Sequence, residues 1–338
     1  MEYRPLGRTG VQVSKLCLGT MMFGAWGNTD HDDSIRIIHR ALDAGVNFVD
    51  TADVYSAGES EEIVGKALKG RRDDVVLATK FWGPMGEGPN QGGVSRRWII
   101  SEVESSLRRL GTDWIDLYQM HRPDPAVDID ETLGALTDLV QQGKVRYIGS
   151  SSFSAGQIVE AQWTARDRNL QRFRTEQPPY SLLVRGIELD VLPTARRHGM
   201  GILTYSPLAG GWLSGSWTAD SSPTSPARQR LAARFDMTLP ENQRKLEAVE
   251  QLAEVADDAG LSMIELAIAF VVNHPTVTSA IIGPRTMEQL DSQLPAADAV
   301  LDPAVLDRID EIVKPGVNLN PADTSYGEQV LLPALRRR

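Results

Sequence analysis

The feature that most constrains the fold is a regular alternation of short apolar runs with longer amphipathic segments. Eight runs have the length of strands, and each is followed by a segment whose apolar residues recur at helical spacing. The predicted strands cover residues 15–20, 48–49, 75–79, 115–120, 145–149, 173–176, 201–205 and 278–282. Strands that alternate with helices are parallel, and a set of this size closes into a barrel. The sequence therefore predicts an α/β protein with the (β/α)8 architecture, the TIM barrel.

Further segments complete the predicted domain. Helices are predicted at residues 33–44, 61–68, 98–110, 131–142, 156–168, 189–197, 247–259 and 263–272, and after residue 287. Residues 3–14 alternate in polarity and predict an N-terminal β-hairpin at the barrel bottom, and residues 301–312 predict an extra C-terminal helix. Because no change in composition marks a linker, residues 1–338 are predicted to form one domain. A long loop at about 214–241 and an irregular segment at about 315–338 break the rhythm.

Composition argues against several classes of partner. The chain has 41% hydrophobic and 24% charged residues, and its formal net charge of −10 disfavours binding to nucleic acid or to an anionic membrane. Cys17 is the single cysteine, which excludes an internal disulfide and fits a reducing compartment. The sequence has no signal-peptide pattern and no apolar run of membrane-spanning length, so we expect a cytoplasmic protein.

Ionisable residues follow consecutive predicted strands. Asp50 and Tyr55 come after the second strand, Lys80 after the third and His121 after the fourth. In a parallel barrel these strand ends open onto one face, and barrel enzymes carry their active sites on that face. We therefore predict an active site built from these side chains.

Together, these residue types suit the transfer of a proton. A tyrosine with its ordinary pKa of about 10 exchanges protons poorly near neutral pH, unless a nearby cation lowers that pKa. Lys80 can supply the cation, and Asp50 on the neighbouring strand can keep a buried lysine charged. His121 is placed to hydrogen-bond a substrate oxygen or to relay the proton. The alternative is a structural ion pair beneath an ordinary tyrosine.

A metal-dependent reaction is the main rival chemistry. The chain has five histidines, and among them His121 alone reaches a predicted strand end. A metal-dependent barrel hydrolase or isomerase needs several histidine and carboxylate ligands that converge there. The sequence therefore predicts no metal site. It also has no Gly-x-Gly-x-x-Gly after a strand, so the dinucleotide fingerprint of open sheets is absent.

A series of short motifs runs through the barrel units in order. They are Leu18-Gly-Thr20, Asp50-Thr-Ala-x-x-Tyr55, Ala78-Thr-Lys80, Ser106-Leu-Arg-Arg-Leu110, Asp116-Leu117, His121, Ile148-Gly-x-Ser151, Gln177-x-x-Tyr180, Tyr205-Ser-Pro-Leu208 and Ile282-Gly-Pro-Arg285. With them the chain resembles the aldo-keto reductase family over nearly its whole length. The resemblance implies a barrel that binds NADPH without a Rossmann domain. It also implies reduction of small-molecule carbonyl groups by hydride from the nicotinamide, with a tyrosine as general acid.

The resemblance assigns a role to each of the predicted catalytic residues. Tyr55 would protonate the carbonyl oxygen of an aldehyde or ketone. Lys80 and Asp50 would tune Tyr55, and His121 would orient the carbonyl.

The resemblance also implies which residues hold the NADP(H) cofactor. They are Thr20, Met21, Asp50, Ser151, Ser152, Gln177, Tyr205, Ser206, Pro207, Leu208, Gly210, Gly283, Arg285, Gln289 and Gln293. Tyr205 would stack on the nicotinamide ring, and the long loop after strand seven would cover the pyrophosphate. Gly283 and Arg285 precede a helix, so backbone N–H groups and a guanidinium would meet the adenosine 2′-phosphate, which favours NADP over NAD. The alternatives are polar capping of strand ends for Ser151, Ser152 and Gln177, and core packing for Tyr205.

Three positions depart from the family pattern. Ser152, Ser181 and Gln293 stand where many members have asparagine. Each substitute still forms hydrogen bonds, so the departures concern contacts to the cofactor and leave the reaction untouched. Arginines of the long loop are further candidates for phosphate contacts, and the pattern does not choose among them: Arg228, Arg230 and Arg234.

Large apolar side chains beside the motifs are candidates for the substrate pocket. They are Met22, Trp26, Trp82 and Trp212. Packing at the rim is the alternative role. Tyr326, in the irregular C-terminal segment, is a candidate to close over the site. An aromatic rim would favour carbonyl substrates with apolar or aromatic parts.

The alternative function is a non-catalytic, NADPH-binding regulatory subunit, because the resemblance extends to potassium-channel beta subunits. Those proteins share the barrel and much of the catalytic group, but they carry an amide where this chain has His121. A histidine can exchange a proton and an amide cannot, so the sequence favours an enzyme. It names neither the natural substrate nor the oligomeric state.

Overall fold

A computed structural model describes residues 1–215, residue 217 and residues 231–324. The barrel strands are β3 (Leu16–Gly19), β4 (Phe48–Asp50), β5 (Val76–Phe81), β6 (Ile115–Met120), β7 (Val145–Ser151), β8 (Thr175–Gln177), β9 (Gly201–Thr204) and β10 (Val277–Ile282). All neighbouring pairs are parallel, and the sheet closes because β10 pairs with both β9 and β3. The predicted (β/α)8 barrel is confirmed.

Helices surround the barrel. In the described residues they are α1 (His31–Asp43), α2 (Glu59–Leu68), α3 (Arg96–Leu110), α4 (Ile129–Gln141), α5 (Ala155–Asp167), α6 (Val191–His198), α7 (Pro240–Asp258), α8 (Met263–Val272), α9 (Met287–Gln293) and α10 (Pro303–Ile312). Capping residues explain several starts: Asp30 accepts a hydrogen bond from the Asp33 N–H, and Ser154 forms a capping box with Gln157. The extra C-terminal helix is confirmed as α10. Among these helices, none is both long and apolar enough to cross a membrane.

The N-terminal hairpin, also confirmed, consists of β1 (Tyr3–Pro5) and β2 (Gln12–Ser14). The Arg4 guanidinium donates to the carbonyl oxygens of Val272 at 2.6 Å and Val277 at 3.0 Å, which fastens the hairpin beside β10. A Cβ atom at Gly7 would lie 2.7 Å from the nitrogen of Gly201, so only glycine allows this approach to β9. The hairpin therefore covers the end of the barrel where the strands begin.

The barrel interior changes from apolar to polar along the strands. Apolar side chains from the hairpin and the strands form one cluster: Leu6, Val13, Cys17, Phe48, Ala78, Leu117, Leu203 and Ile281. Alternate residues of a strand face the same side. The residues two positions after Phe48, Ala78 and Leu117 therefore also face the interior. They are Asp50, Lys80 and Gln119. A polar layer thus lies above an apolar plug, toward the C-terminal ends of the strands.

The segment between β9 and α7 differs from prediction at its end. Most of the predicted loop at 214–241 lies outside the described residues. Helix α7 begins at Pro240 rather than at residue 247. Its first turns bury Asn242 and Lys245, which are polar, so the apolar spacing used for the prediction could not reveal them.

Candidate active site

The predicted catalytic side chains meet at the C-terminal ends of the adjacent strands β4, β5 and β6. Asp50 ends β4, Lys80 lies near the end of β5, and His121 follows β6. Tyr55 begins a short turn, Tyr55–Gly58, that follows β4. Asp50 and Lys80 are buried, whereas Tyr55 and His121 are partly exposed. The structure therefore brings this group together at the mouth of the barrel.

Lys80 uses all of its donors within this group. Its ammonium donates to Asp50 Oδ1, to the Thr51 carbonyl oxygen at 2.8 Å and to the Tyr55 hydroxyl at 3.3 Å. Burial alone would lower the pKa of Lys80, but the charge of Asp50 and the hydrogen bonds with Asp50 and Tyr55 outweigh burial and raise that pKa above its ordinary value. Lys80 is therefore a charged lysine directed at the phenol.

Two amides hold the other oxygen of Asp50. Gln177 Nε2 donates to Asp50 Oδ2 at 2.9 Å, and Gln119 Nε2 donates to the same atom at 3.1 Å. With Lys80 on Oδ1, each oxygen of this buried carboxylate has a partner, which offsets the cost of its desolvation. The sequence pattern predicts Gln177 as a site residue and misses Gln119. The available signal is that Gln119 lies two residues before His121 on the inward face of β6.

The Tyr55 hydroxyl has a pKa above its ordinary value in this structure. Desolvation by burial raises the pKa, the charge of Lys80 lowers it, and burial has the larger effect. Lys80 therefore lowers this pKa, but in this structure its effect does not bring the pKa below its ordinary value. The phenol keeps its proton at neutral pH, and a protonated phenol is the form that a general acid requires.

His121 stands edge-on to Tyr55, with ring centroids 5.8 Å apart and an interplanar angle of 79°. Burial lowers the pKa of His121 well below its ordinary value, and the charges of Lys80 and Arg122 lower it further. The imidazole is therefore neutral at neutral pH. Its Nδ1 is buried and has no hydrogen-bond partner among the described residues. A neutral imidazole can donate or accept one hydrogen bond without adding a charge.

The residues predicted on the nicotinamide side lie at the ends of β7, β8 and β9. Ser151 Oγ donates to the Gln177 carbonyl oxygen at 2.9 Å, and Ser152 Oγ lies 3.3 Å from the Tyr205 hydroxyl. Ser152 has φ = 59°, in the left-handed region that costs energy for a residue other than glycine. The structure therefore brings these residues together as one polar edge beside the catalytic group.

The segment after β9 continues this edge. Ser206 and Gly210 are exposed, whereas Pro207 is buried and Leu208 is partly buried. Ser206 has φ = 59°, so this second serine is also left-handed. Strained backbone of this kind persists only where the surrounding structure imposes it. Such residues are concentrated at functional sites.

The residues predicted near the adenosine follow β10. Gly283 is exposed, and no atom lies within 4 Å of the position that its Cβ would take. Arg285 is exposed, and its backbone N–H donates to Gln289 Oε1 at 3.0 Å. Gln293 is buried, and its Oε1 has no hydrogen-bond partner in the described part of the chain. The guanidinium of Arg285 is the remaining cationic candidate here.

Several predicted residues lie beside the catalytic group on its other side. Thr20 is buried, and its Oγ1 donates to the Asp50 carbonyl oxygen at 3.2 Å, whereas Met21 is 42% exposed. The ring of Trp26 lies 6.0 Å from the ring of Tyr55. Met22 and Trp82 are partly exposed, and Trp82 directly follows β5. Trp26 is thus the candidate substrate-pocket residue with a described contact to the phenol.

Trp212 does not line the mouth. It is fully buried, its indole N–H donates to the Arg234 carbonyl oxygen at 3.1 Å, and its ring lies 4.5 Å from the ring of Trp217. The Lys245 ammonium lies 4.3 Å from its ring centroid, a cation–π contact. The prediction of Trp212 as a substrate-pocket residue is wrong in this structure, because the indole packs into an aromatic cluster instead.

Of the three candidate arginines in the long loop, the structure describes Arg234. Arg228 and Arg230 lie outside the described residues, as does Tyr326 of the C-terminal segment. Arg234 Nε donates to the Ala322 carbonyl oxygen at 2.6 Å. This guanidinium is therefore engaged in holding the C-terminal segment.

A second buried group of charges lies behind the site, where α2 and α3 cover the barrel wall. Arg109 donates to Glu61 at 2.6 Å and to Glu102. Asp53 is fully buried, accepts from the Val54 N–H at 2.6 Å, and its Oδ2 has no partner among the described residues. Burial raises the pKa of Asp53 well above its ordinary value, and repulsion by Glu61 and Glu102 raises it further. No sequence pattern predicts this cluster.

Fold and site define a class of protein: a (β/α)8 barrel with a lysine-supported tyrosine and a neutral histidine at its mouth. Within residues 1–215, 217 and 231–324, no three His, Cys, Asp or Glu side chains converge as metal ligands would. The sequence profile described as the Aldo/keto reductase family matches residues 15–314. The chain belongs to the aldo/keto reductase family, whose members are oxidoreductases that act on small molecules.

Relatives with similar sequences span nearly the whole chain. An uncharacterised oxidoreductase of Bacillus subtilis, YrpG, is 42% identical over 324 residues, which is 92% of this chain and 96% of that protein. A probable voltage-gated potassium channel subunit beta of Arabidopsis thaliana is 38% identical over 93% of this chain and 97% of its own length. The versiconal hemiacetal acetate reductase of Aspergillus parasiticus is 34% identical over 92% of this chain and 96% of its own length.

Proposed function

We propose that this protein reduces aldehydes or ketones to alcohols, with NADPH as the hydride donor and Tyr55 as the general acid. The observation that most supports the proposal is the 3.3 Å hydrogen bond from the Lys80 ammonium to the Tyr55 hydroxyl. Asp50 keeps Lys80 charged, and a neutral His121 stands beside the same phenol. A structural ion pair alone would need neither the phenol nor the histidine.

Each residue then has a defined task. When hydride is added to the carbonyl carbon, negative charge develops on the oxygen, and Tyr55 donates its proton there. The charge of Lys80 stabilises the phenolate that remains. His121 hydrogen-bonds the same oxygen and orients the carbonyl, and its low pKa keeps it from adding a second proton. The nicotinamide, when bound, supplies the hydride.

The residues present fit a phosphorylated dinucleotide. The unpartnered Oε1 of Gln293 offers a buried acceptor for an amino group. The open backbone at Gly283 leaves room for a close approach, and the exposed guanidinium of Arg285 forms no ion pair within the described ranges. A guanidinium recognises a phosphate by paired hydrogen bonds, which supports NADP over NAD.

Replacement of Tyr55 tests the reaction. We expect Tyr55→Phe to lower kcat by about 100- to 10,000-fold, because the variant lacks the proton donor. NADPH oxidation is followed by absorbance with aliphatic, aromatic and sugar aldehydes and ketones. NADPH affinity, measured by fluorescence, is expected to persist in the variant and confirms that its barrel is folded. Equal turnover in both proteins would remove Tyr55 from the mechanism.

Replacement of Arg285 tests the cofactor. We expect Arg285→Gln to raise the Kd for NADPH by about 10-fold or more while the Kd for NADH changes little, since only NADPH carries the 2′-phosphate. Arg168→Gln, at an exposed arginine that directly follows α5, is the matched control and should change neither value. A parallel loss for both cofactors would contradict a phosphate contact.

A regulatory subunit is the second candidate, supported by the 38% identity to a probable channel beta subunit. It predicts tight binding of NADPH with no turnover of any carbonyl compound by the wild-type protein. The same absorbance assay therefore separates the two functions.

A further inference from the structure

Arg122 is a cation at the site that the proposed proton transfer does not use. It directly follows His121 and is partly exposed. Its Nη1 donates to the His121 carbonyl oxygen at 3.1 Å and to Ser152 Oγ at 2.6 Å. The other two guanidinium nitrogens, Nε and Nη2, have no hydrogen-bond partner among the described residues. One side of the guanidinium is thus fixed to the protein, and its Nε–Nη2 side remains unused.

The charge of Arg122 also lacks a counter-charge in the described part of the chain. Lys80 is matched by Asp50, whereas no carboxylate lies within ion-pair distance of Arg122. Glu176 lies near enough for Arg122 to lower its pKa, but burial raises the pKa of Glu176 to about 8, so this carboxyl is mostly protonated at neutral pH. The mouth of an acidic protein therefore carries a local positive charge.

This positive charge reaches the groups that would contact the substrate. Arg122 is among the charges that lower the pKa of His121 and that of Tyr55. The Ser152 hydroxyl that Arg122 holds lies 3.3 Å from the Tyr205 hydroxyl. Arg122 therefore lies between the proton-transfer pair and the polar edge formed by Ser152 and Tyr205.

We infer that Arg122 binds a carboxylate on the substrate, so that the preferred substrates are aldehydes or ketones with an acidic group. The inference rests on the proposed reductase function and names its substrate class. The free Nε–H and Nη2–H groups are parallel donors, the arrangement that accepts both oxygens of one carboxylate. The contacts to His121 and Ser152 fix the guanidinium in advance, which lowers the entropy cost of binding.

The rival role for Arg122 is support of the cofactor side through Ser152 and Tyr205. Such a role would affect every carbonyl substrate to the same degree. The two roles are separated by the selectivity between acidic and uncharged substrates, not by activity alone.

The experiment compares 3- and 4-carboxybenzaldehyde with the corresponding uncharged formylbenzamides, at saturating NADPH. In wild type we expect a higher kcat/KM for at least one acid than for its amide. In Arg122→Gln this acid-to-amide ratio should fall by about 10- to 100-fold, the worth of a charge-assisted pair of hydrogen bonds. Arg122→Lys keeps the positive charge but lacks the two parallel N–H donors of the guanidinium, so it should recover part of the acid-to-amide ratio. A ratio that Arg122→Gln leaves unchanged would overturn the inference.

The inference remains testable if the reductase proposal fails. In that case none of the four aldehydes is turned over, although NADPH binds. Calorimetry then measures 4-(hydroxymethyl)benzoate and 4-(hydroxymethyl)benzamide binding to the NADP-loaded protein. Tighter binding of the acid that is lost in Arg122→Gln supports the carboxylate site, and equal binding of acid and amide refutes it. Thermal unfolding of each variant is measured in parallel, and the Lys variant replaces the Gln variant if the latter does not fold.

Discussion

Asp50 and Asp53 are three residues apart, both buried, and belong to opposite kinds of charge cluster. Inside the barrel, Asp50 has its own cation, Lys80, and two amides that complete its hydrogen bonds. Outside the barrel wall, Arg109 already serves two glutamates, and Asp53 keeps one oxygen without a partner in the described residues. The first cluster pairs its carboxylate with a cation, whereas the second raises the pKa of Asp53 well above its ordinary value.

The two clusters differ in the charges that surround the buried carboxyl. Asp50 faces a cation and two amides, whereas Asp53 is buried beside Glu61 and Glu102, whose repulsion adds to the effect of burial on its pKa. The cluster of Asp50 and Lys80 is also the one that contacts the phenol of Tyr55. The cluster behind it is formed by Asp53 and by charged residues of α2 and α3.

The same substitution at the two aspartates should have very different effects, and the larger is expected at Asp50. Asp50→Asn leaves Lys80 buried without a counter-charge, so we expect the free energy of unfolding to fall by about 3–5 kcal/mol at pH 7. Urea denaturation followed by circular dichroism measures it. Asp50→Asn combined with Lys80→Met removes both charges and should recover part of the loss. A loss below about 1 kcal/mol would mean that the pair contributes little to folding.

The smaller effect is expected at Asp53. Its carboxyl already keeps a proton in the folded protein, and an asparagine is close to it in size and polarity. At pH 4.5 we therefore expect Asp53→Asn to change the free energy of unfolding by no more than about 1 kcal/mol. The same urea titration measures it. A loss as large as that of Asp50→Asn would show that Asp53 is charged and paired.

The pH dependence sharpens the prediction for Asp53. Because the folded state raises the pKa of Asp53, its contribution to stability is fully present below the unfolded pKa and is lost as the pH rises toward the folded value. Asp53→Asn has no such dependence. Between pH 4.5 and 8 the free energy of unfolding of the wild type should therefore fall relative to that of Asp53→Asn, by up to about 1.4 kcal/mol per pH unit. A difference that is constant with pH would contradict a protonated Asp53.

Much of the architecture could be predicted from the sequence because it repeats. Each strand and each helix of the barrel shows the spacing of apolar residues that is typical of its type. The C-terminal end of each strand then contributes residues to the same face of the barrel. Asp50, Lys80 and His121 could be placed together for this reason alone, since parallel strands bring equivalent positions to one end. The hairpin and the final helix were also visible as local patterns.

What the sequence could not give depends on contacts between distant segments. Arg109 meets Glu61 across 48 residues, and nothing in either helix indicates that meeting. Trp212 is next to a motif, but whether an indole turns outward or into an aromatic cluster depends on neighbours such as Trp217. The direction of the Tyr55 pKa likewise required the depth of burial, which opposes the effect of Lys80 and exceeds it.

The hydrogen bond from Gln177 to Asp50 has a mechanical consequence as well. Around the closed sheet, β4 and β8 are four strands apart in either direction, so the bond spans a diameter. Backbone hydrogen bonds join only adjacent strands, so they allow the circular cross-section of the barrel to become elliptical. A hydrogen bond between opposite strands resists that change of shape. Asp50 and Gln177 therefore hold β4 and β8 at a fixed distance from each other at the C-terminal end of the barrel.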